Sequence, residues 1–328
     1  MSDFNRSKQI KLLVTGVGAI IGCGVIKSIH ASGIPAHIIG MDVYSDAVGQ
    51  HWCDEFIQAK YASEPEYIEF LRNIIHLHQI DLVFFGTEQE IYRINQNRDE
   101  MGKDIDKLVL NRAQILDLSR DKWLTRAYLV ENKLEEFAIP SVIEGEFDDI
   151  AKRFGKEFLL KPRSSYACKG IVKVSDPEEF AFFKKRMGVN FMAQQIIGDI
   201  DHEYTVAVFG LGDGTNSASI TLKRKLSQEG ATSKAEVICD PLLQETVNRI
   251  CEVLQPIGPM NLQFRFDHGR YYLLEINPRI SSSTSIRTAF GYNEAEMCVH
   301  YFLLHDTIVP IVKMGRATRF IDEVVTLY

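Results

Sequence analysis

The apolar positions in the first third of the chain fall into short runs separated by amphipathic stretches. Lys11–Thr15, Ala36–Asp42 and Leu82–Gly86 read as strands, since continuous apolar runs of this length suit a sheet covered on both faces. Between them Ile20–Ala31, Tyr67–His78 and Glu88–Asn97 read as helices. Such alternation predicts a parallel, doubly wound sheet. Leu108–Leu110 adds a closing strand, and Asn111-Arg112 begins a connection. The middle third, from Asp121 to about Gln195, mixes helices with short strands. The last third turns antiparallel, with strands at Tyr204–Phe209 and Ser217–Leu222, a helix at Pro241–Leu254, and turns such as Gly212-Asp213-Gly214. There is no internal repeat.

The most pointed pattern is Asn261–Arg279, N-L-Q-F-R-F-D-H-G-R-Y-Y-L-L-E-I-N-P-R, where two strand-like runs flank a turn at Asp267-His268-Gly269. Glu275 and Asn277 lie two apart, so they share one face of their strand. Gln263 pairs across onto that face, and Arg279 follows just beyond. One carboxylate, two amide oxygens and a guanidinium make a poor core. They suit a hard cation shared with phosphate oxygens, as Mg²⁺ is usually held, and this points to phosphoryl chemistry.

Composition narrows the field. A chain of 328 residues is long enough for two or three packed domains. The net charge of -7 argues against a nucleic-acid or anionic-membrane partner. No apolar run approaches the ~20 residues of a spanning helix, and no apolar stretch of a signal peptide precedes the first strand. The six cysteines are scattered without metal-ligand spacing, as in reduced cytosolic proteins, so a cytoplasmic location is expected. A homodimer is compatible with the sequence.

Glycines at 16, 18, 22 and 24 with Asp42 imitate a dinucleotide fingerprint, but Ile21 stands where its third glycine belongs; close helix–strand packing explains them as well. Phe158–Pro162 is an apolar strand with Lys161 near its end, a place that wants an anion. The small-residue loop at 163–170 follows, suited to fold over phosphates. Phe191–Gly198 is a strand running into a turn, able to meet an adenine edge through its backbone, with Glu203 near for ribose hydroxyls. Cys168 in the loop reads as a small filler, and Lys184–Arg186 as a solvated helix end.

Taken in order, Lys122 after an aspartate, L-L-K-P, the small-residue loop, Q-Q-I-I-G, H-E-Y-T-V, N-L-Q-F and L-E-I-N-P-R resemble the ATP-grasp superfamily. The closest resemblance is to the carbamoyl-phosphate-synthase-large-chain-like branch, over nearly the whole sequence and including G-T-E-Q-E at Gly86–Glu90. The resemblance implies an α/β and α+β architecture: a Rossmann-like pre-ATP-grasp domain at 1–112, then a two-subdomain ATP-grasp fold at 113–328. Within the latter, about 120–193 forms the small lid-bearing part and 194–328 the metal-binding part. It implies ATP and Mg²⁺ (or Mn²⁺). Lys122 and Lys161 would contact phosphates, one from each side of the cleft. Gln194, Gln195, Ile196 and Ile197 would form the adenine hinge, and Glu203 would bind ribose. Gln263, Glu275 and Asn277 would hold metal, and Arg279 would stabilise the transferring phosphoryl group. Of Lys223, Arg224 and Lys225, which precede a loop at Gly230–Ser233, Arg224 is the expected catalytic residue, because alternation turns only some inward.

The expected activity is ligation of a small-molecule carboxylate to an amine through an acylphosphate, forming ADP. The alternatives are a single-module subunit of a carbamoyl phosphate synthase-like complex and a non-catalytic ATP-binding regulator. Two departures bear on substrate. Ser165 and Ala167 replace glycines of the family loop, and Ser281-Ser282-Ser283 replaces the second arginine with which the synthase reads its small substrate. A larger carboxylate is therefore expected, with Arg287 as a candidate counter-ion.

Overall fold

The computed structural model describes residues 9–164, 170–228 and 230–325. The lid loop expected at 163–170, Cys168 included, therefore falls largely outside them. The chain opens with β1 (Ile10–Thr15), α1 (Ile20–Ser32), β2 (Ala36–Asp42), β3 (Glu55–Gln58), α2 (Tyr67–Leu77), β4 (Leu82–Phe84) and α3 (Glu88–Gln96). The four strands pair in parallel, in the order β3-β2-β1-β4. The strand expected at Leu108–Leu110 contributes a bridge from Leu108 to Val83. β3 was not anticipated, because Glu-Phe-Ile-Gln offers too few apolar positions to set a period.

The glycines of the first turn let α1 pack closely on β1. A Cβ on Gly22 would stand 2.3 Å from the carbonyl oxygen of Gly16, so α1 can lie this close to β1 only with glycine there. Asp42 accepts from the Gly18 N–H at 2.7 Å and the Tyr44 N–H at 3.0 Å. Its carboxylate pins its own loop, and the dinucleotide reading is set aside.

After α4 (Arg98–Met101), α5 (Ala113–Arg120) and α6 (Lys122–Glu131) comes a small antiparallel sheet. It is built from β5 (Ser141–Val142), β6 (Phe158–Pro162), β7 (Val172–Val174) and β8 (Phe191–Gln194), in the order β5-β8-β6-β7. With α7 (Phe147–Phe154) and α8 (Pro177–Met187) it encloses a core rich in phenylalanine, including Phe158, Phe180 and Phe191.

The remaining strands are β9 (Glu203–Leu211), β10 (Asn216–Leu226), β11 (Thr232–Ile238), β12 (Ile257–Asp267), β13 (Arg270–Asn277) and β14 (Arg316–Thr318). They form one antiparallel sheet, β13-β12-β9-β10-β11-β14. One face presents Val206, Val208, Met260, Leu262 and Phe264 to α9 (Pro241–Leu254). The other presents Ala207, Phe209, Ile220 and Leu222 to α1, α10 (Thr284–Ala289) and α11 (Glu294–Cys298). Along that second face the alternating positions turn polar toward one end: Thr205 and Glu203 on β9, Arg224 on β10, Asn261 and Gln263 on β12. The sheet thus changes character along its length, and the site lies at the polar end.

Candidate active site

β12 and β13 place Gln263 directly opposite Glu275, and Asn261 opposite Asn277. Cross-strand partners share a face, so all four side chains converge. They line a cavity of about 300 Å³ together with Arg224, Arg279 and the Gly86–Gln89 turn of the N-terminal unit. Asn261 begins the hairpin motif, yet the sequence reading assigned it no role.

Lys122 opens α6, and Lys161 sits on β6 of the small sheet. Asp121 caps α6 by accepting from the Trp123 and Leu124 N–H groups at 2.8 and 3.3 Å, and it forms a forked ion pair with Arg163, down to 2.6 Å. The Lys122 N–H donates to the Arg163 carbonyl at 3.0 Å. Lys122 is thereby tied to the end of β6, which carries the buried Lys161. The two lysines stand on neighbouring backbone segments. Both act on Glu275. Burial pushes the Glu275 carboxyl above its ordinary range; Lys122, Arg279 and Lys161 pull it back, while Glu88 adds to the rise.

Glu88, in the first turn of α3, forms an ion pair with Arg279. Arg279 also donates to the Asn277 Oδ1 at 3.2 Å and to the Ile280 carbonyl at 3.0 Å. The N-terminal unit therefore supplies a wall of the cavity, a role the sequence reading did not give to Glu88. An acid directly before a helix's interior turns is an ordinary first-turn residue, so nothing local marked it.

Arg224 is buried on the cleft face, whereas Lys225 is exposed and paired with Asp201. Arg224 donates to the Glu203 Oε1 at 2.8 and 3.1 Å and to the Gln263 Oε1 at 2.8 Å. Glu203 takes a second guanidinium, Arg265, on Oε2 at 2.9 Å. The expected ribose-binding acid is thus already the node of an arginine pair. An ionised carboxylate has about four acceptor positions, so capacity for a hydroxyl remains. The loop expected at Gly230–Ser233 is shorter than that, because Thr232 already belongs to β11.

At the hinge, Gln194 is the last residue of β8, and its Nε2 donates to the Ser141 Oγ at 2.9 Å. Gln195, Ile196 and Ile197 run beyond the sheet. Gly198 then turns with φ +53°, where a Cβ would meet the Phe266 carbonyl oxygen at 2.7 Å. Gln194, Lys122 and Glu275 line one small recess, so hinge, lysine and carboxylate adjoin.

Arg287 is a correction. It is wholly buried, held by Ser281, Thr205, Asn261 and Glu294, and no substrate carboxylate can reach it. Ser281 and Ser283 serve internal bonds as well, to Arg287 and Thr232.

A larger cavity of about 560 Å³ lies at the carboxyl ends of β1, β2 and β4, lined mainly by apolar surface with Tyr44, Tyr61 and Asp46. It shares Thr87 and Gln89 with the first. Openings at this point of a doubly wound sheet are common ligand sites.

Known proteins share this architecture. N5-carboxyaminoimidazole synthetase from Staphylococcus aureus, solved with ADP, superposes with a TM-score of 0.68 at 18% identity, over 90% of this chain and 78% of that one. Biotin carboxylase from Campylobacter jejuni, in complex with an ATP form, gives 0.73 at 15% identity, over 94% and 74%. Residues 196–319 match the family model described as ATP-grasp in the biosynthetic pathway with Ter operon. The chain has the ATP-grasp fold. Its sequence is also homologous to the carbamoyl phosphate synthase large chain of Methanocorpusculum labreanum, 23% identical over 85% of this chain and 29% of that protein. A segment covering 22% of the chain is 36% identical to the corresponding large chain of Thermoplasma acidophilum, of which it spans 7%. The chain thus spans less than a third of the curated relatives it matches.

The donor set of the ATP-grasp cleft suits a hard divalent cation: a carboxylate on Glu275 and amide oxygens on Gln263 and Asn277. Each amide oxygen accepts from one arginine and keeps a lone pair.

Proposed function

We propose that this protein is a Mg-ATP-dependent ligase that activates a carboxylate as an acylphosphate for attack by an amine, releasing ADP. The carrying observation is Glu275, which shares one cavity with Gln263, Asn277 and Arg279 and feels the charges of Lys122 and Lys161. A buried carboxylate under the influence of two lysines and an arginine, beside two amide oxygens, suits a polyanion and its metal.

In this reading Lys122 and Lys161 neutralise the phosphates from the small-sheet side. Gln194, Gln195, Ile196 and Ile197 take the adenine edge, and the spare capacity of Glu203 takes a ribose hydroxyl. Gln263, Glu275 and Asn277 would hold Mg²⁺, which would screen the phosphate charge. The substrate carboxylate oxygen attacks the γ-phosphorus and ADP leaves. The amine then attacks the acyl carbon, phosphate leaves, and the nitrogen gives up a proton. Arg279, oriented by Glu88, faces the negative charge that spreads over the transferring group, and Arg224 steadies Gln263 beside it. Positioning and preorganised charge carry this chemistry. The cavity at Tyr44 and Tyr61, which meets the cleft at Thr87 and Gln89, is wide enough for the body of the amine substrate.

Likeness to carbamoyl phosphate synthase favours a second reading, a module acting on bicarbonate and ammonia with a partner chain. The two separate in an ADP-release screen of the full chain with Mg-ATP over carboxylates and amines, bicarbonate and ammonia included, with Asn277→Ala as control. Stimulation by an organic carboxylate and amine supports the ligase. Stimulation by bicarbonate alone supports the module, and no pair exceeding the Asn277→Ala background refutes both.

A further inference from the structure

The cleft has a built-in donor that neither the metal nor the lysines account for. Asn261 is 1% exposed and lines the cavity. Its Oδ1 accepts from the Arg287 Nη2 at 2.5 Å and from the Thr205 hydroxyl at 2.5 Å. Arg287 also donates to the Thr205 Oγ1 at 3.0 Å. A guanidinium can only donate, so the amide has one permitted orientation: oxygen toward Arg287, nitrogen away. That nitrogen, Nδ2, is buried without a hydrogen-bond partner among the described residues. A buried N–H₂ group left unmet is costly unless something completes it.

Arg287 itself is fixed by a buried counter-charge. Glu294 on α11 lies 3.4 Å from its Nη1, both side chains fully buried, and Ser281 accepts from the same nitrogen at 2.9 Å. The chain of contacts runs from Glu294 through Arg287 to Asn261 and ends at the cleft. We propose that Arg287 is a positioning residue which, through Thr205 and Asn261, holds an N–H₂ donor toward an anionic oxygen of the reacting group beside the metal face. Asn261 is then a donor to phosphoryl or carboxylate oxygen, not a metal ligand, although it shares a face with Gln263, Glu275 and Asn277. This inference rests on the cleft being an ATP-grasp site.

The test uses inorganic phosphate, titrated by phosphorus NMR against the full chain saturated with MgADP. Arg287→Lys keeps a charge for Glu294 but lacks the fork that reaches Thr205 and Asn261 together. It should weaken phosphate about tenfold, as expected for one hydrogen bond to a charged group, with MgADP affinity held and the melting temperature lowered by the buried hydrogen bonds that lysine cannot make. Asn261→Ala should lose about the same. Because one residue acts through the other, the Arg287→Lys/Asn261→Ala pair should also lose about tenfold rather than about a hundredfold. Parental phosphate affinity in Arg287→Lys, or losses that multiply in the pair, overturns the inference while leaving the ATP site intact. Failure of the parent chain to bind MgADP overturns the site reading and this inference with it. If Arg287→Lys does not fold, Thr205→Val deletes only a hydroxyl of the relay. It must weaken phosphate in the same direction, and parental affinity there refutes the role.

Discussion

Replacing Arg287 by leucine should be among the most damaging single changes in this chain. The guanidinium and the Glu294 carboxylate are both fully buried, and removing one partner of such a pair typically costs about 3–5 kcal/mol, since the other charge stays behind. The 3.4 Å approach to Glu294 is long, so Coulomb attraction alone does not set the cost. Three further acceptors, on Ser281, Thr205 and Asn261, lose a donor in the same substitution. We expect a loss of about 4 kcal/mol at pH 7, a large fraction of the ~5–15 kcal/mol that holds a domain folded. Urea unfolding followed by far-UV circular dichroism measures it. The pair Arg287→Met/Glu294→Leu should recover most of the loss, because the stranded charge is gone. Burial already holds the Glu294 carboxyl above its ordinary range, with Arg287 pulling it down. Without Arg287 it rises further. A carboxyl raised on folding favours the folded state when protonated, so the single variant should regain stability as pH falls from 7 toward 5. A loss under about 1 kcal/mol, a double variant no better than the single, or no recovery in acid would each refute the buried-charge account.

Other expectations are cheaper to check. Asp121→Ala removes a helix cap and a half-buried ion pair, costing about 2 kcal/mol, and should raise the KM for ATP by misplacing Lys122; Asp121→Asn should keep the cap and much of the stability in urea titration. Gly198→Ala forces a methyl against the Phe266 carbonyl at positive φ, so it should destabilise by about 1–2 kcal/mol and weaken ATP binding, read by calorimetry. Glu275→Gln removes a carboxylate whose charged form burial disfavours. It should leave the ligand-free chain as stable as the parent or more so at pH 7, while ADP formation disappears; a clear fall in melting temperature would contradict the direction of that shift.

The shared polar face of the hairpin was legible because strand alternation is a local rule. Once Asn261–Arg279 reads as a hairpin, Glu275 and Asn277 must point together, and the register then seats Gln263 opposite Glu275. Parallel strands and their helices were equally legible from apolar runs. What escaped depends on contacts far apart in sequence. Glu88 and Arg279 are 191 residues apart and meet only because the N-terminal unit closes over the hairpin. Arg287 was misread for the same reason: a lone arginine after a serine run gives no sign that α11 will bring Glu294 against it. β14 is three residues long and exists only by pairing with β11, so no pattern within it could announce a strand.

The charge balance of the cleft explains why these distant pieces converge. The whole chain carries a net charge of -7, yet Lys122, Lys161, Arg224, Arg265 and Arg279 gather around three carboxylates, Glu88, Glu203 and Glu275. Cations outnumber acids locally on a protein where acids dominate. Like charges brought together out of water repel, so this cluster costs stability unless a ligand answers it. The acids do not cancel the excess but divide it. Glu203 binds Arg224 and Arg265, Glu88 binds Arg279, and Lys122 and Lys161 both act on Glu275. A magnesium-bound triphosphate, still negative overall, would fill that place with opposite charge to the lysines and an ion for Glu275. On the proposed function the arrangement is preorganised for that ligand before it arrives, the condition under which fixed charges contribute most to phosphoryl transfer.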